Sequence, residues 1–160
     1  MAINAIRSAC LDVTSGVPQG SHLGPLLFVL FLNDMGICFL DSNSMYSLYA
    51  DDLKISTVIN SPLDTVKLQA DLNRFSEYCA LNRLHLNVDK CNYIVFSRLS
   101  LSRNPNMDLS LNNIQLKRVN VVKDLGVTLD SKLLFEPHIE AIIRKALRNL
   151  GFILRTTEGL

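Results

Sequence analysis

Two helices of this chain are predicted by apolar residues that recur every three or four positions. The earlier one begins after Ser61, which is followed by Pro62 and Asp64, and is expected to end near Leu84. The later one begins near Pro137 and carries a longer stripe. The apolar faces consist of Leu68, Leu72, Phe75 and Cys79 in the earlier helix, and of Ile139, Ile142, Ile143, Ala146, Leu147 and Leu150 in the later helix.

A third helix is predicted nearer the start of the chain, from a segment that is apolar on every side. Ser21 is a good capping residue, and Pro25 is tolerated in a first turn whose N–H groups lack partners. Because Leu26–Leu32 has no polar face, this helix is expected to be buried under other elements. Polar residues and glycines interrupt the longer run 23–40, so a membrane span is not expected.

Shorter apolar runs predict strands. Met45–Ala50 and Leu53–Ile59 are expected to pair as a hairpin. Asn112-Asn113 is a plausible two-residue turn between two further strands. A glycine at position 126 predicts a bend or a close backbone approach within one strand. The other strand-like segments are 3–13, Val88–Ser97, Leu109–Leu111, Ile114–Leu116 and Val121–Leu129.

The turn of the first hairpin holds two adjacent carboxylates, Asp51 and Asp52. Tight hairpin turns favour Asn-Gly, Asp-Gly or Gly-Gly, because these residues accept a positive φ cheaply. Two neighbouring aspartates repel each other, and a bound cation that prefers oxygen ligands, such as Mg²⁺ or Mn²⁺, would offset the repulsion. A solvent-exposed turn that merely contains two aspartates is the alternative.

Charge is distributed unevenly between the two halves, although the net charge is only +1. Residues 1–80 contain four Lys or Arg and eight Asp or Glu, whereas residues 81–160 contain twelve and seven. An acidic half joined to a basic half suits a protein that holds cations in one place and phosphates in another. Arg144, Arg148 and Arg155 share one face of the last helix, which is either a solvated face or a ridge that follows a phosphate backbone.

Composition places the chain among globular domains, because 48% of its residues are hydrophobic and 19% are charged. The four cysteines form no C-x-x-C pair, so a zinc site is not expected, and they are interpreted as small apolar residues in a reducing compartment. No signal peptide is recognised. An intracellular location is expected, with no choice between cytoplasm and nucleus.

Four segments of the chain carry a resemblance to known enzymes. They are the loop Gly16-Val17-Pro18-Gln19-Gly20-Ser21, the tetrapeptide Tyr49-Ala50-Asp51-Asp52, the segment from Asn82 to Arg98 around Lys90, and the segment Lys123–Asp130 around Gly126. In this order and spacing they resemble motifs B, C, D and E of the reverse transcriptases of non-LTR retrotransposons, the jockey-like elements among them. The segment from His138 to Phe152 resembles the start of the thumb, so the resemblance extends from about Val13 to Arg155.

The resemblance implies an RNA-directed DNA polymerase. A primer 3′-hydroxyl would attack the α-phosphate of a deoxynucleoside triphosphate on an RNA template, with Mg²⁺ (or Mn²⁺) as cofactor. Adjacent strand residues point to opposite faces, so Asp51 is expected to bind metal directly and Asp52 to be a secondary ligand, in agreement with the family's pattern. The motif D role implies that Lys90 protonates the leaving pyrophosphate or neutralises its charge.

Further residues acquire binding roles from the same resemblance. Tyr49 is expected to lie on the same strand face as Asp51 and to pack near the primer end, although an ordinary strand aromatic is an equal alternative. The nucleotide- or template-binding residues are Gly16, Pro18, Gln19, Gly20 and Tyr49, the primer grip is Leu125 and Gly126, and the contacts to the nucleic-acid backbone are Lys123, Arg144 and Arg148.

The implied fold is α+β. An antiparallel palm sheet is expected to carry the acidic hairpin, with the helices after Ser21 and Ser61 packed on one of its faces. Residues 1–100 would form a partial palm with motifs B, C and D. Residues 101–160 would hold the motif E hairpin region and the first helix of the thumb.

One part of the family's pattern is not found in the sequence. Reverse transcriptases have a further metal-binding aspartate in motif A, on a strand upstream of motif B. Asp12 is the only acid before Gly16, and it receives no role because it lies on the strand that leads into motif B. The chain is therefore expected not to extend a primer alone, to require an upstream part as a partner, and to leave a sheet edge open.

Other classes of protein make different demands on the sequence. A non-catalytic nucleic-acid-binding remnant, or a domesticated domain, needs only the basic second half. A viral RNA-dependent RNA polymerase usually has Gly-Asp-Asp at its hairpin, so Ala50 disfavours that class. A structural domain with an incidental acidic turn leaves the four motifs without an explanation.

Overall fold

The computed structural model describes residues 2–3 and 6–7 by their backbone and residues 16, 20–40, 42–98 and 107–157 in full. The chain divides into two compact units, Met1–Val58 and Ile59–Leu160. Helices and strands are mixed in both units, which is compatible with the α+β class. No helix in the described ranges is long and apolar enough to cross a membrane.

The described residues of the first unit form two helical segments and four strands. In chain order these are β1 (Ala2–Ile3), β2 (Ile6–Arg7), α1 (Gly24–Phe31), a 3₁₀ helix (Met35–Phe39), β3 (Met45–Tyr49) and β4 (Asp52–Ser56). Strands β1 and β2 pair antiparallel, with Ile3 opposite Ile6. The prediction of a single strand over 3–13 is therefore wrong at its start, and its remainder lies outside the described residues.

Helix α1 begins as predicted but is not buried. The Ser21 hydroxyl accepts the N–H of Gly24 at 3.1 Å, and Pro25 lies in the first turn. The helix is eight residues long, and all of its large side chains except Phe28 are about half exposed, with Leu26 at 55% and Leu30 at 60%. The expectation of a buried helix is wrong. A helix that is apolar on every side needs cover on every side to be buried, and only Gly24 of this helix is buried. The described part of the first unit buries instead Leu32, Met35, Cys38 and Phe39.

The second unit contains the long helices. In chain order its elements are α2 (Pro62–Leu81), a 3₁₀ helix (Val88–Lys90), β5 (Asn92–Ile94), β6 (Ser110–Leu111), β7 (Ile114–Gln115), β8 (Lys117–Val119), β9 (Val121–Asp124), β10 (Val127–Asp130) and α3 (Glu136–Thr157). The described core of this unit consists of Leu72, Phe75, Cys79, Met107, Leu109, Leu111 and Leu116. Both long helices thus start where the sequence pattern placed them.

The start of α2 is stabilised by its own acidic residue. One carboxylate oxygen of Asp64 accepts the backbone N–H groups of Asn60 and Ser61 at 2.9 and 2.8 Å. These hydrogen bonds from Asn60 and Ser61 hold the pKa of Asp64 below its ordinary value. The predicted cap, with Pro62 in the first turn, is confirmed.

The end of α2 has the hydrogen bonds of a Schellman motif. The Leu84 N–H donates to the Cys79 carbonyl at 2.8 Å, and the Arg83 N–H donates to the Ala80 carbonyl at 3.2 Å. Arg83 has a φ of 56°, at the position where helices usually have glycine. The helix itself ends at Leu81, three residues before the predicted Leu84.

A glutamine attaches α2 to strand β6. Gln69 Oε1 accepts the Ser110 N–H at 2.8 Å, and Gln69 Nε2 donates to the Ser110 carbonyl at 2.9 Å. The side-chain amide thereby pairs with the strand as a neighbouring strand would. Strands β6 and β7 form the predicted hairpin, and both of its turn residues, Asn112 and Asn113, have a positive φ, at 52° and 61°.

The strands of the described residues form two-stranded pairs and not one palm sheet. Pairs β1–β2, β3–β4, β6–β7 and β9–β10 are antiparallel, and β5–β8 is parallel. Val121–Leu129 was expected to be one strand and is a hairpin, because the chain reverses at Leu125 and Gly126, whose φ values are 44° and 90°. The predicted strand Val88–Ser97 is reduced to β5 and is preceded by the 3₁₀ helix.

Candidate functional site

The predicted acidic hairpin is present, but its turn lies one residue earlier than expected, and its two aspartates differ in position. Tyr49 pairs with Asp52 as the last rung of β3 and β4, so Ala50 and Asp51 make the turn. Ala50 has a φ of 53°, which glycine usually supplies at the first position of such a turn. Asp51 and Asp52 are both exposed. The hairpin therefore presents two carboxylates to solvent at its tip.

Tyr49 does not share a strand face with Asp51. Residues directly opposite each other in an antiparallel pair have side chains on the same face, and the residue opposite Tyr49 is Asp52. The expectation was wrong because it treated Asp51 as a strand residue, whereas the turn contains it. Tyr49 is 65% exposed, so its ring and the Asp52 carboxylate form one open surface beside the tip.

An aromatic pair that was not predicted from the sequence packs against β3 at the end of the hairpin away from the turn. The rings of Phe39 and Tyr46 are stacked, with centroids 5.0 Å apart and an angle of 22° between their planes. Gly36 gives the tyrosine room, because a Cβ at this position would lie 2.6 Å from the Tyr46 hydroxyl oxygen. A glycine inside an apolar run was the available signal for this contact.

The glycine loop before α1 is described only at its two ends. Gly16 and Gly20 have φ values of 83° and 80°, and a Cβ added at either position would meet no atom within 4 Å. Backbone conformation, and not lack of space within the described chain, is the reason for glycine here. Pro18 and Gln19 lie outside the described residues.

Lys90 lies at the end of the 3₁₀ helix that precedes β5. Its N–H donates to the Asn87 carbonyl at 3.1 Å, and its own carbonyl accepts from the Asn92 side chain at 3.1 Å. The Lys90 side chain is exposed. The neighbouring Cys91 is partly buried, which raises the pKa of its thiol. The backbone N–H and carbonyl of Lys90 are thus both hydrogen-bonded, while its side chain is accessible to a ligand.

The predicted primer grip is the turn of the β9–β10 hairpin. Leu125 and Gly126 form this two-residue turn, and Leu125 is 54% exposed. Lys123 lies on β9 opposite Thr128 and is exposed. An apolar side chain at the tip and a cation two residues before it suit a surface that meets both the sugars and the phosphates of a nucleic acid.

Helix α3 carries the other predicted phosphate contacts. Arg144 and Arg148 are both exposed, and Arg144 forms an ion pair with Glu140 at 2.8 Å. The apolar stripe on the opposite side is exposed as well, with Ile139 and Leu150 at 52% and 51%. None of the described residues of α3 is buried. The helix therefore offers a basic face and an apolar face, both uncovered.

The tip carboxylates fit a divalent cation in chemical type but not in number. Carboxylate oxygens are the donors that Mg²⁺ prefers. Within the part of the chain that the structure describes, no group of three or more His, Cys, Asp or Glu side chains is placed to hold a metal ion. Asp51 and Asp52 therefore do not form a complete metal site by themselves.

The predicted site residues are divided between the two units. Gly16, Gly20, Tyr49 and the aspartate pair belong to the first, and Lys90, the β9–β10 turn and the bases of α3 belong to the second. The second unit also has a cavity of about 330 Å³ at the end of α2, which the sequence reading missed. It is lined by Ser76, Cys79, Ala80, Arg83, Leu84, His85, Leu86 and Asn112.

Comparison with known proteins identifies the family. Residues 4–154 match the family described as reverse transcriptase (RNA-dependent DNA polymerase), and the chain belongs to this family. The acidic hairpin contains the tetrapeptide whose sequence resembles motif C, and the β9–β10 turn lies in the segment that resembles motif E.

The relatives are polymerases of mobile elements. The chain is 32% identical over 148 residues to the RNA-directed DNA polymerase from mobile element jockey of Drosophila melanogaster. The aligned residues make up 89% of this chain and 16% of that protein. The chain is 33% identical over 134 residues to the probable RNA-directed DNA polymerase from transposon X-element of the same species, covering 82% and 14%. A retrovirus-related Pol polyprotein from type-1 retrotransposable element R1 of Bradysia coprophila is 29% identical over 150 residues, covering 90% and 14%.

The chain thus spans about a sixth of the length of the jockey polymerase, at 16%. No solved structure gives a significant match.

Proposed function

We propose that this chain is part of the palm and early thumb of an RNA-directed DNA polymerase of a non-LTR retrotransposon. The observation that carries the proposal is the hairpin tip, where Asp51 and Asp52 stand exposed on a paired two-stranded support. Rigid support of this kind suits carboxylates that must hold a fixed geometry. Membership of the reverse transcriptase family supports the same assignment. The substrates would be an RNA template, a DNA primer and deoxynucleoside triphosphates.

The aspartates would contribute to a site for Mg²⁺ or Mn²⁺ that needs further ligands from elsewhere. A pair of metal ions, when bound, stabilises the attacking and leaving oxygens of phosphoryl transfer. Asp51 lies in the turn and is the proposed direct ligand, and Asp52, on the face of Tyr49, is the proposed secondary one. Tyr49, with Gly16, Pro18, Gln19 and Gly20 of the loop, would contact the incoming nucleotide and the template.

The second unit would bind the nucleic acid and the leaving group. Lys90 would neutralise or protonate the departing pyrophosphate. Leu125 and Gly126 would contact the primer strand, and Arg144 and Arg148 its phosphates or those of the template. The functional boundary near residue 100, with the palm before it and the motif E hairpin and thumb helix after it, is part of this proposal.

Because the carboxylates of the described residues do not complete a metal site, the 160-residue chain is proposed not to extend a primer. The test compares this chain with a chimera in which the upstream part of the jockey relative precedes it, each with primer–template and Mg²⁺ or Mn²⁺. Only the chimera is expected to extend the primer. Asp51→Asn in the chimera should lower the rate by about 10²-fold or more, as expected when a group that stabilises transition-state charge is removed.

Asp89→Asn is the matched control, since Asp89 is also exposed and is not part of the acidic hairpin. Robust synthesis by the 160-residue chain alone would refute the proposed inactivity. An unchanged rate in the Asp51→Asn chimera would refute the proposed role of the hairpin.

A non-catalytic nucleic-acid-binding domain is the second candidate function. The exposed basic face of α3 is the observation that favours it, because phosphate binding requires no metal. Under this function Asp51→Asn should leave duplex affinity unchanged with and without Mg²⁺. A Mg²⁺-dependent loss of affinity in that variant would favour the polymerase assignment.

A further inference from the structure

The connector between β10 and α3 has an unusual backbone for its sequence. Residues 131–135 contain no glycine, yet Leu133 and Phe135 have φ values of 56° and 62°. Side chains other than glycine rarely adopt this conformation, and it persists only where surrounding interactions impose it. The described contacts show which groups impose it here.

Asp130, the last residue of β10, holds the connector from one side. Its Oδ1 accepts the Lys132 N–H at 2.9 Å, its Oδ2 accepts the Phe135 N–H at 2.7 Å, and its backbone carbonyl accepts the Leu133 N–H at 2.9 Å. Desolvation raises the pKa of Asp130, but the backbone N–H groups outweigh it and hold the pKa below its ordinary value. The carboxylate therefore stays ionised at neutral pH and keeps both hydrogen bonds.

His138, in the first turns of α3, holds the helix against the hairpin from the other side. Its Nδ1 accepts the Thr128 N–H at 3.3 Å. Thr128 pairs with Lys123 one rung away from the turn, so its N–H is directed to the outer side of β10 and not to β9. An imidazole on the helix thus takes the place of a neighbouring strand at this edge.

We propose that Asp130 and His138 are positioning residues that lock α3 onto the β9–β10 hairpin, so that the Leu125-Gly126 turn and the bases Arg144 and Arg148 meet a nucleic-acid duplex as one rigid body. The proposal rests on the proposed function, because it assigns both surfaces to the same ligand. It adds a role for two residues to which the proposed function assigns none.

The geometry explains why such a lock matters. No described residue of α3 is buried, so packing along the helix does not fix its direction. Arg148 lies twelve residues after the start of α3 at Glu136, which is about 18 Å along the axis. A swing of about 20° at the connector would move it by roughly 6 Å, about twice the length of a hydrogen bond. Simultaneous contact at the turn and at Arg148 therefore requires a fixed angle.

The test uses the 160-residue chain. It measures the rigidity of the joint, defined as the contact of α3 with the β9–β10 hairpin through Asp130 and His138, separately from the affinity for nucleic acid. The variants are His138→Ala, His138→Asn and Asp130→Ala. Asparagine places an acceptor oxygen near the position of the imidazole Nδ1 and should restore the lock. Controls are His85→Ala and Asp89→Ala, which remove the same groups from exposed positions outside the connector. Far-UV circular dichroism verifies that α3 persists in each variant.

Two readouts report on the joint. Residual dipolar couplings of Val121–Asp130 and Glu136–Thr157 should fit one alignment tensor in the unsubstituted chain, in His138→Asn and in both controls. They should require two tensors in His138→Ala and in Asp130→Ala. Amide exchange should accelerate by about tenfold or more at Thr128 in His138→Ala and at Phe135 in Asp130→Ala. A single tensor in both alanine variants would overturn the proposal.

The third readout is affinity for a primer–template duplex, which should weaken by roughly tenfold in the two alanine variants and recover in His138→Asn. Two tensors with unchanged affinity would also overturn the proposal. If the unsubstituted chain binds no duplex, the proposed nucleic-acid binding by the second unit is refuted. The proposal that the Leu125-Gly126 turn and the bases of α3 contact the same duplex is then refuted as well. The alignment data would then still show whether Asp130 and His138 form the joint.

Discussion

At the scale of single residues, Arg83 shows a conflict between backbone and side chain. It occupies the position after α2 where the Schellman motif requires a left-handed conformation, with a φ of 56°. A side chain in this conformation costs about 1–2 kcal/mol, and glycine avoids the cost. Arg83 also lines the cavity at the end of α2 together with His85, so the arginine is placed where its charge is accessible.

Arg83→Gly is therefore expected to raise the free energy of unfolding, by about 1 kcal/mol, as measured by urea denaturation of the chain. The matched control is Lys67→Gly, which removes the same charge from an exposed position inside α2 and should lower the free energy of unfolding by about 1 kcal/mol. A loss of stability in Arg83→Gly would mean that the arginine side chain contributes more than its conformation costs.

At the scale of elements, local signals in the sequence were sufficient where the structure depends on neighbouring residues. The Asp64 cap fixed the start of α2, and Asn112-Asn113 fixed a hairpin, because each interaction lies within a few residues. The pattern of residues predicted only a bend at Gly126 within one strand, and not the reversal between β9 and β10, because leucine at position 125 is a poor turn residue. The burial of α1 was wrong because burial depends on what covers a helix, which periodicity does not report.

The candidate site was predictable to a similar extent. The acidic hairpin could be located from the strand-like runs that flank it, although its turn is Ala50 and Asp51 and not Asp51 and Asp52. The register that sets Tyr49 opposite Asp52 could not be predicted. A shift of the turn by one residue along the chain moves each side chain of a strand to the other face of the hairpin. The bases of α3 were located correctly on their helix, whereas Lys90 was expected in a strand and lies in a 3₁₀ helix. Their relation to the aspartates depends on interactions that no local pattern encodes.

The turn of β9–β10 allows stability and ligand binding to be separated within one element. Leu125 has a φ of 44° and is followed by glycine, so Leu125→Asn creates the Asn-Gly pair that such turns favour. The free energy of unfolding should rise by about 1 kcal/mol, measured by urea denaturation. Duplex affinity should fall at the same time, because the variant loses the exposed apolar side chain that the proposed primer grip uses.

Leu133→Asn is the control for this variant. Leu133 also has a positive φ, of 56°, and is 47% exposed, but it lies in the connector and not at the tip. Its substitution should raise stability by a similar amount and leave duplex affinity unchanged. If Leu125→Asn binds duplex as well as the unsubstituted chain, the leucine side chain has no part in the primer grip.

At the scale of the whole molecule, charge is the property that separates the two proposed tasks. The first half has a surplus of acid and carries the aspartate hairpin, and the second half has a surplus of base and carries the β9–β10 turn and α3. Surfaces of opposite sign in one chain attract a polyanion to one region and cations to another. The salt dependence of duplex binding should therefore originate in the second half.

Replacement of Arg144 and Arg148 by glutamine should reduce the slope of log K against log salt concentration by about 2, because each phosphate contact contributes roughly 0.9 to the slope. Replacement of Lys54 and Lys67, one on the acidic hairpin and one early in α2, removes the same charge and should leave the slope unchanged. Fluorescence anisotropy of a labelled duplex over a salt series measures both slopes. Equal slopes in the two double variants would mean that binding follows net charge alone, and the basic face of α3 would then have no specific part in it.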